Sequence, residues 1–173
     1  MLRFLRMRLQ DVEAILRALN DAEVRYLIVG GLAVVAHGYV RATVDIDIVL
    51  SLEEPNARRA MQALTEIGYR PLVPVLASEF ADEKIRKSWQ REKHMIVFQL
   101  RHPDKESTRL DLFVEEPFPF TDELAQAKWE NVAGIRAPVL RLERLLQMKR
   151  ESGRAQDLAD VEQLMLITQN RKT

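Results

Sequence analysis

Apolar positions Val12, Ile15, Leu16 and Leu19 recur at three- and four-residue intervals, which predicts an amphipathic helix over about Asp11–Leu19. Tyr26–Val29 is a continuous run short enough for a buried strand. Leu32–Ala36 is apolar on every side and predicts a short buried helix, with Gly38 placed to cap its C-terminus. From Ala42 to Leu50 the pattern alternates: Val44, Ile46, Ile48 and Leu50 take one face of a strand, Asp45 and Asp47 the other. Pro55 suits the first turn of a surface helix over Asn56–Ile67, which Gly68 stops. Pro71 and Pro74 hold the next segment extended, and Asp82–Arg91 reads as a charged helix. Met95–Leu100 and Arg109–Val114 are strands joined by the polar Arg101–Ser107, a hairpin pattern. Pro117 and Pro119 punctuate the chain before two C-terminal helices, about Val139–Glu151 and Gln156–Thr168. Strands interleaved with helices, plus one hairpin, predict an α/β (α+β) fold with a mixed sheet and helices packed on it.

At 173 residues and 47% hydrophobic composition the chain has the length and apolar content of one domain. Its core is expected over about residues 24–116, followed by C-terminal helices over about 138–170. Lysine plus arginine (26) balances aspartate plus glutamate (26), which excludes a globally basic nucleic-acid binder. A local patch remains. Lys84, Arg86, Lys87, Arg91 and Lys93 surround Trp89, either as an RNA-binding strip with the indole as a stacking platform or as a solvated helix diluted by Asp82, Glu83 and Glu92. Without cysteine there is no disulfide, zinc–thiolate site or thiol nucleophile, in keeping with a cytoplasmic location. The run Met1–Leu9 is basic but too interrupted for an export signal, and Leu27–Ala36 is too short to span a bilayer, so no membrane partner is expected.

The chemistry concentrates at Gly30-Gly31 and Asp45-x-Asp47. Two carboxylates on one strand face repel, and a divalent cation such as Mg²⁺ relieves them while carrying substrate phosphates. A strand that ends in Gly30-Gly31 and enters a helix can offer bare N–H groups to a phosphate, although a tight turn also needs glycine for sterics alone. In Arg109–Val114 the alternation leaves Asp111 opposite Leu110, Leu112 and Val114, beside Arg109 and Phe113, so a third carboxylate is available. Asp45, Asp47 and Asp111 are the expected metal ligands and catalytic groups of a two-metal site for in-line displacement at phosphorus, with Asp111 best placed to take a proton from an attacking hydroxyl. In the late helices Lys149 falls on the stripe of Leu142, Leu145 and Leu146, and Asp157 on that of Val161, Leu164 and Thr168. Lys149 then either meets a triphosphate, with Asp157 fixing it or Arg154, or forms a structural bridge. His37, next to Gly38, suits a helix-end contact better than catalysis. No Gly-x-x-x-x-Gly-Lys-Ser/Thr or Gly-x-Gly-x-x-Gly sequence is present, so neither a P-loop nor a dinucleotide fold is supported.

Gly30-Gly31, the short helix and Arg41-Ala42-Thr43-Val44-Asp45-Ile46-Asp47-Ile48 resemble the signature of the DNA polymerase beta-like nucleotidyltransferase superfamily, with Asp111 matching its third acid. The Arg-x-Thr-x-Asp-Ile-Asp detail, Met148-Lys149-Arg150 and Gly153–Asp160 are similar to the small bacterial branch of abortive-infection (AbiEii-type) toxin nucleotidyltransferases. The resemblance implies Mg²⁺, a nucleoside triphosphate, and nucleotide-binding roles for Gly30, Gly31, Arg41, Thr43, Lys149 and Asp157. It further implies transfer to a hydroxyl with release of pyrophosphate, with RNA (tRNA) or protein as acceptor and a cognate antitoxin as partner. Gly31 stands where many relatives carry serine, and the larger toxins run longer than this chain. Two other functions stay open: a small-molecule (antibiotic) nucleotidyltransferase and a catalytically silent binding module.

Overall fold

The computed structural model describes residues 7–103 and 108–171. Most of the expected basic N-terminal run and the tip of the expected hairpin loop lie outside the described residues. Helix α1 (Leu9–Asp21) leads into strand β1 (Tyr26–Val29), helix α2 (Gly30–Ala36) and strand β2 (Asp45–Leu50). Helix α3 (Glu54–Glu66) follows, then β3 (Arg70–Pro71), a 3₁₀ turn (Ala77–Ala81) and α4 (Glu83–Lys93). The second half runs β4 (Val97–Arg101), β5 (Arg109–Phe113), α5 (Phe120–Ala125), β6 (Lys128–Val132), β7 (Ile135–Val139), α6 (Leu142–Ser152) and α7 (Ala155–Asn170).

Among the described residues the strands form one mixed sheet in the order β3-β4-β5-β2-β1-β7-β6. Strand β2 runs antiparallel to β1 and parallel to β5, and β5 is antiparallel to β4. The expected hairpin is therefore present, and its second strand docks beside the Asp-x-Asp strand. Tyr26–Val29 is buried along its whole length because β1 has neighbours on both sides and helices on its faces. Leu16, Leu27, Ile46, Ile48, Leu110, Leu112 and Phe98 form the centre of the core. Among the described residues no helix is long and apolar enough to cross a membrane.

Several local expectations change. The Asp-x-Asp strand begins at Asp45 rather than Ala42, so Val44 is 49% exposed instead of facing the core. Gly38 closes α2 as expected: with φ +108° it follows the cap residue His37, its N–H donates to the Val35 carbonyl and the Tyr39 N–H to that of Val34. The His37 ring Nε2 lies 2.8 Å from the Leu140 carbonyl oxygen, a tether between α2 and the segment before α6. Val139 belongs to β7 rather than opening the first C-terminal helix. Trp89 is buried, stacked on Phe98 with ring centres 5.1 Å apart, so the indole offers no face to a base. Arg86 is buried too, donating to the Phe80 carbonyl at 2.6 Å, and Lys87 pairs with Glu83. The charged helix is a solvated face with its tryptophan turned into the core.

Candidate active site

Register places the acids. In the parallel pair β2·β5, Asp47 lies opposite Asp111 and Asp45 opposite Arg109. Across β4·β5, Gln99 lies opposite Asp111, and its amide sits 3.3 Å from one carboxylate oxygen and 3.4 Å from the other. A row of polar side chains, Gln99, Asp111 and Asp47, therefore crosses three strands, with Asp45 and Arg109 in the adjacent row. Strand alternation causes this: residues two apart share a face, and the opposite face carries Ile46, Ile48, Leu110 and Leu112 into the core.

The electrostatics follow from that crowding. Burial, then the neighbouring charges of Asp111 and Asp45, push the Asp47 carboxyl up to about 7, against the opposing pull of the Gly31 backbone N–H and Lys149. Burial and Asp45 also raise Asp111, opposed by Gln99 and Arg109. Arg109 Nη2 donates to Asp45 Oδ2 at 2.5 Å, while its Nε lies 3.5 Å from Asp111 Oδ1, within ion-pair range but without a hydrogen bond. Asp45 Oδ1 and Arg109 Nε are buried polar atoms with no hydrogen-bond partner. Arg109 was visible in the alternation beside Asp111, yet nothing in the pattern gave it a role; Gln99 had no signal beyond its place in a strand.

Gly30 has φ +62°, and a Cβ there would overlap the Asp47 carboxylate. At Gly31 a Cβ would overlap Thr43 Oγ1 and come within 3.4 Å of Arg41 Nη2. Gly30, Gly31, Arg41, Thr43 and Asp47 are thus brought together. The Gly31 N–H is engaged by Asp47, so the glycines serve the close approach of that carboxylate.

A second charged cluster joins this corner to the C-terminal helices. Arg41 grips Asp160 through two bonds, Nε to Oδ1 and Nη2 to Oδ2, both 2.7 Å. Lys149 Nζ bridges Asp157 Oδ1 at 2.6 Å and Asp160 Oδ2 at 2.8 Å. Asp157 also accepts from Ser152 and from Arg154 Nε at 2.7 Å. Burial alone would raise Asp157, but the bonds from Lys149, Ser152 and Arg154 outweigh it and hold the carboxyl at about 2. Asp160 is likewise lowered: burial opposes, and Arg41 and Lys149 prevail. The expected lysine–aspartate bridge is present, and Asp160, which was not singled out in the sequence, is its fully buried centre. It could have been found three residues after Asp157 on the same helix face.

No family model matches the chain, and no curated protein matches it. Solved structures do. The lincosamide antibiotic adenylyltransferase LnuA, bound to lincomycin, superposes with a TM-score of 0.61 at 18% identity, covering 92% of this chain and 97% of that one. ANT(2'')-Ia in complex with adenylyl-2''-tobramycin gives 0.58 at 14% identity, covering 95% and 91%. A Thermotoga maritima protein assigned as a nucleotidyltransferase gives 0.56 at 17% identity, covering 91% of each chain. The chain has the nucleotidyltransferase fold.

On this fold the acids are the candidate seat of a divalent cation. Among the described residues no three His, Cys, Asp or Glu side chains stand arranged to hold one, so the expected cluster of Asp45, Asp47 and Asp111 is not assembled as the side chains stand. Arg109 supplies positive charge there instead. The donor set nevertheless fits Mg²⁺: carboxylate oxygens are hard ligands, Asp45 Oδ1 is buried without a partner, and burial, then the neighbouring carboxylates, raise Asp47 and Asp111.

Proposed function

We propose that this protein is a Mg²⁺-dependent nucleotidyltransferase that moves a nucleoside monophosphate from a nucleoside triphosphate to a hydroxyl acceptor. The observation that carries the proposal is the in-register pairing of Asp47 with Asp111 on parallel strands, with Asp45 two residues away on the same face. Asp45, Asp47 and Asp111 would hold the metal. When bound, Mg²⁺ neutralises charge developing on the transferring phosphate. The acceptor hydroxyl oxygen forms a bond to the α-phosphorus, the bond to the β-phosphate breaks, and pyrophosphate leaves with the electron pair. The hydroxyl proton passes to Asp111, whose raised proton affinity suits a base. Arg41 and Lys149 support the triphosphate side of the site, with Asp157 and Asp160 fixing them in place.

Two acceptor classes follow. The motifs around Arg41–Asp47 and Met148–Asp160 favour a toxin-like cytoplasmic enzyme acting on tRNA or protein and restrained by a cognate antitoxin. A small hydroxylated acceptor is favoured by the near-complete coverage of LnuA and ANT(2'')-Ia, two antibiotic-modifying enzymes by name, and by a neutral chain whose Trp89 is buried. We favour the small acceptor. The test is a screen with labelled nucleoside triphosphates against lincosamides, aminoglycosides, tRNA and protein, wild type beside Asp47→Ala. Label on a small acceptor, lost in the variant, is the expected result; label on tRNA or protein would move the assignment to the toxin-like reading. A biological effect that survives Asp47→Ala would make the chain a silent binding module.

A further inference from the structure

Among the described residues, Arg109 is the cation that pairs with Asp45 and Asp111 from their own strand face. It joins Asp45 at 2.5 Å and approaches Asp111 at 3.5 Å, spanning the oxygens a divalent cation would share. Its side chain is 42% exposed, so the guanidinium can change partners without unpacking the core. Its buried Nε has no hydrogen-bond partner, and neither has Asp45 Oδ1. Arg41 engages Asp160 with a two-bond fork through Nε and Nη2, whereas Arg109 bonds Asp45 through Nη2 alone and leaves Nε unbonded.

We propose that Arg109 is an exchangeable occupant of the metal position: it holds Asp45 and Asp111 together until a cation–polyphosphate complex arrives, then releases the carboxylates to the metal and takes hold of phosphate. This rests on the nucleotidyltransferase reading and adds a substrate-binding residue to it. The reasoning is one of matched chemistry. A guanidinium and a divalent cation are alternative partners for the same carboxylates, and a planar guanidinium pairs with phosphate as well as with carboxylate. A metal alone must displace the arginine, whereas the metal–polyphosphate complex offers it a new anion.

The test measures binding without turnover. Mn²⁺ alone and Mn²⁺–tripolyphosphate are titrated into wild type, Arg109→Gln, Arg109→Lys and the Asp45→Asn/Asp47→Asn double variant, with thermal unfolding as the check that each is folded. Mn²⁺ alone is expected to bind Arg109→Gln at least fivefold more tightly than wild type, and the tripolyphosphate complex at least fivefold more weakly. Arg109→Lys keeps the charge but cannot span two carboxylates, and it is expected to shift in the same two directions by smaller factors. The proposal is overturned if Arg109→Gln binds bare Mn²⁺ no more tightly than wild type, or if Arg109→Lys matches wild type in both titrations, since a bystander charge would do that. Unaltered binding by the Asp45/Asp47 double variant would instead remove the metal site itself, a separate failure.

Discussion

Asp47 is the residue on which the site turns, and its proton inventory makes a prediction. With a carboxyl raised from 3.8 to about 7, the folded chain keeps a proton between those values that the unfolded chain has lost. Stability without metal therefore falls as pH rises through that window. Asp47→Asn removes the effect, and chemical denaturation in chelator at pH 8 is expected to show the variant more stable by on the order of 2 kcal/mol, with a flatter pH profile between pH 5 and 8. Its transferase activity is expected to drop about a thousandfold or more, as the loss of a group acting on the reacting phosphate does. Asp157 has the opposite sign: held at about 2, it stabilises the fold above its ordinary value of 3.8 and loses that contribution as pH falls toward 2. Gly30 is the other sensitive position. Its φ of +62° and the Asp47 carboxylate lying over it mean that Gly30→Ala is strained twice. We expect a loss of about 1–3 kcal/mol by denaturant titration, with activity falling further than stability because Asp47 is displaced.

Among the elements, α6 and α7 are tied to the β1–α2 corner by charge rather than by apolar packing alone. Lys149 and Asp160 are almost wholly buried, so Lys149→Met strands two carboxylates and should cost about 3 kcal/mol, a fall in Tm of about 6–12 °C by calorimetry. A drop under 2 °C would mean that Arg41, Ser152 and Arg154 suffice to satisfy Asp157 and Asp160. The elements differ in how far the sequence disclosed them. Helices α1, α3, α4 and α7 and strands β1, β4 and β5 carried periods clear enough to place within a few residues. The hairpin β6·β7 did not. Lys128-Trp129-Glu130-Asn131-Val132 is an edge strand with little apolar alternation, and Pro138 inside β7 reads as a breaker, although its missing donor is tolerated in a strand joined to β1 through a single residue pair. Val139 then merged with the helical pattern of Leu142 and Leu145. For the site, Asp45, Asp47 and Asp111 were legible because strand alternation fixes a face. Arg109's contacts and Asp160's role depend on distances between segments far apart in sequence, which periodicity does not carry.

At the scale of the whole molecule, α4 packs its Trp89 on Phe98, whose side chain alternates in β4 with the Gln99 that meets Asp111, so the basic side chains of α4 and the acids belong to opposite faces of the sheet. Lys84 and Arg91 remain on the solvated face while Arg86 and Trp89 are buried. Lys84→Glu/Arg91→Glu is therefore expected to leave nucleotide transfer to a small acceptor within twofold of wild type in the labelled-triphosphate assay; a loss above tenfold would make α4 part of the acceptor site. The sheet also has a temporal side. Arg41 meets its anchor 119 residues later, at Asp160. On a translating ribosome, at about 5–20 residues per second, Arg41 emerges about 6–24 s before that anchor exists, and Asp111, the last of the acids, about 2–10 s before it. A nascent chain can thus pair β1 with β2 early, but Arg41 is seated only when the last helix closes over it, so a chain that stops between β5 and residue 160 carries all three acids and lacks the partner that holds its arginine.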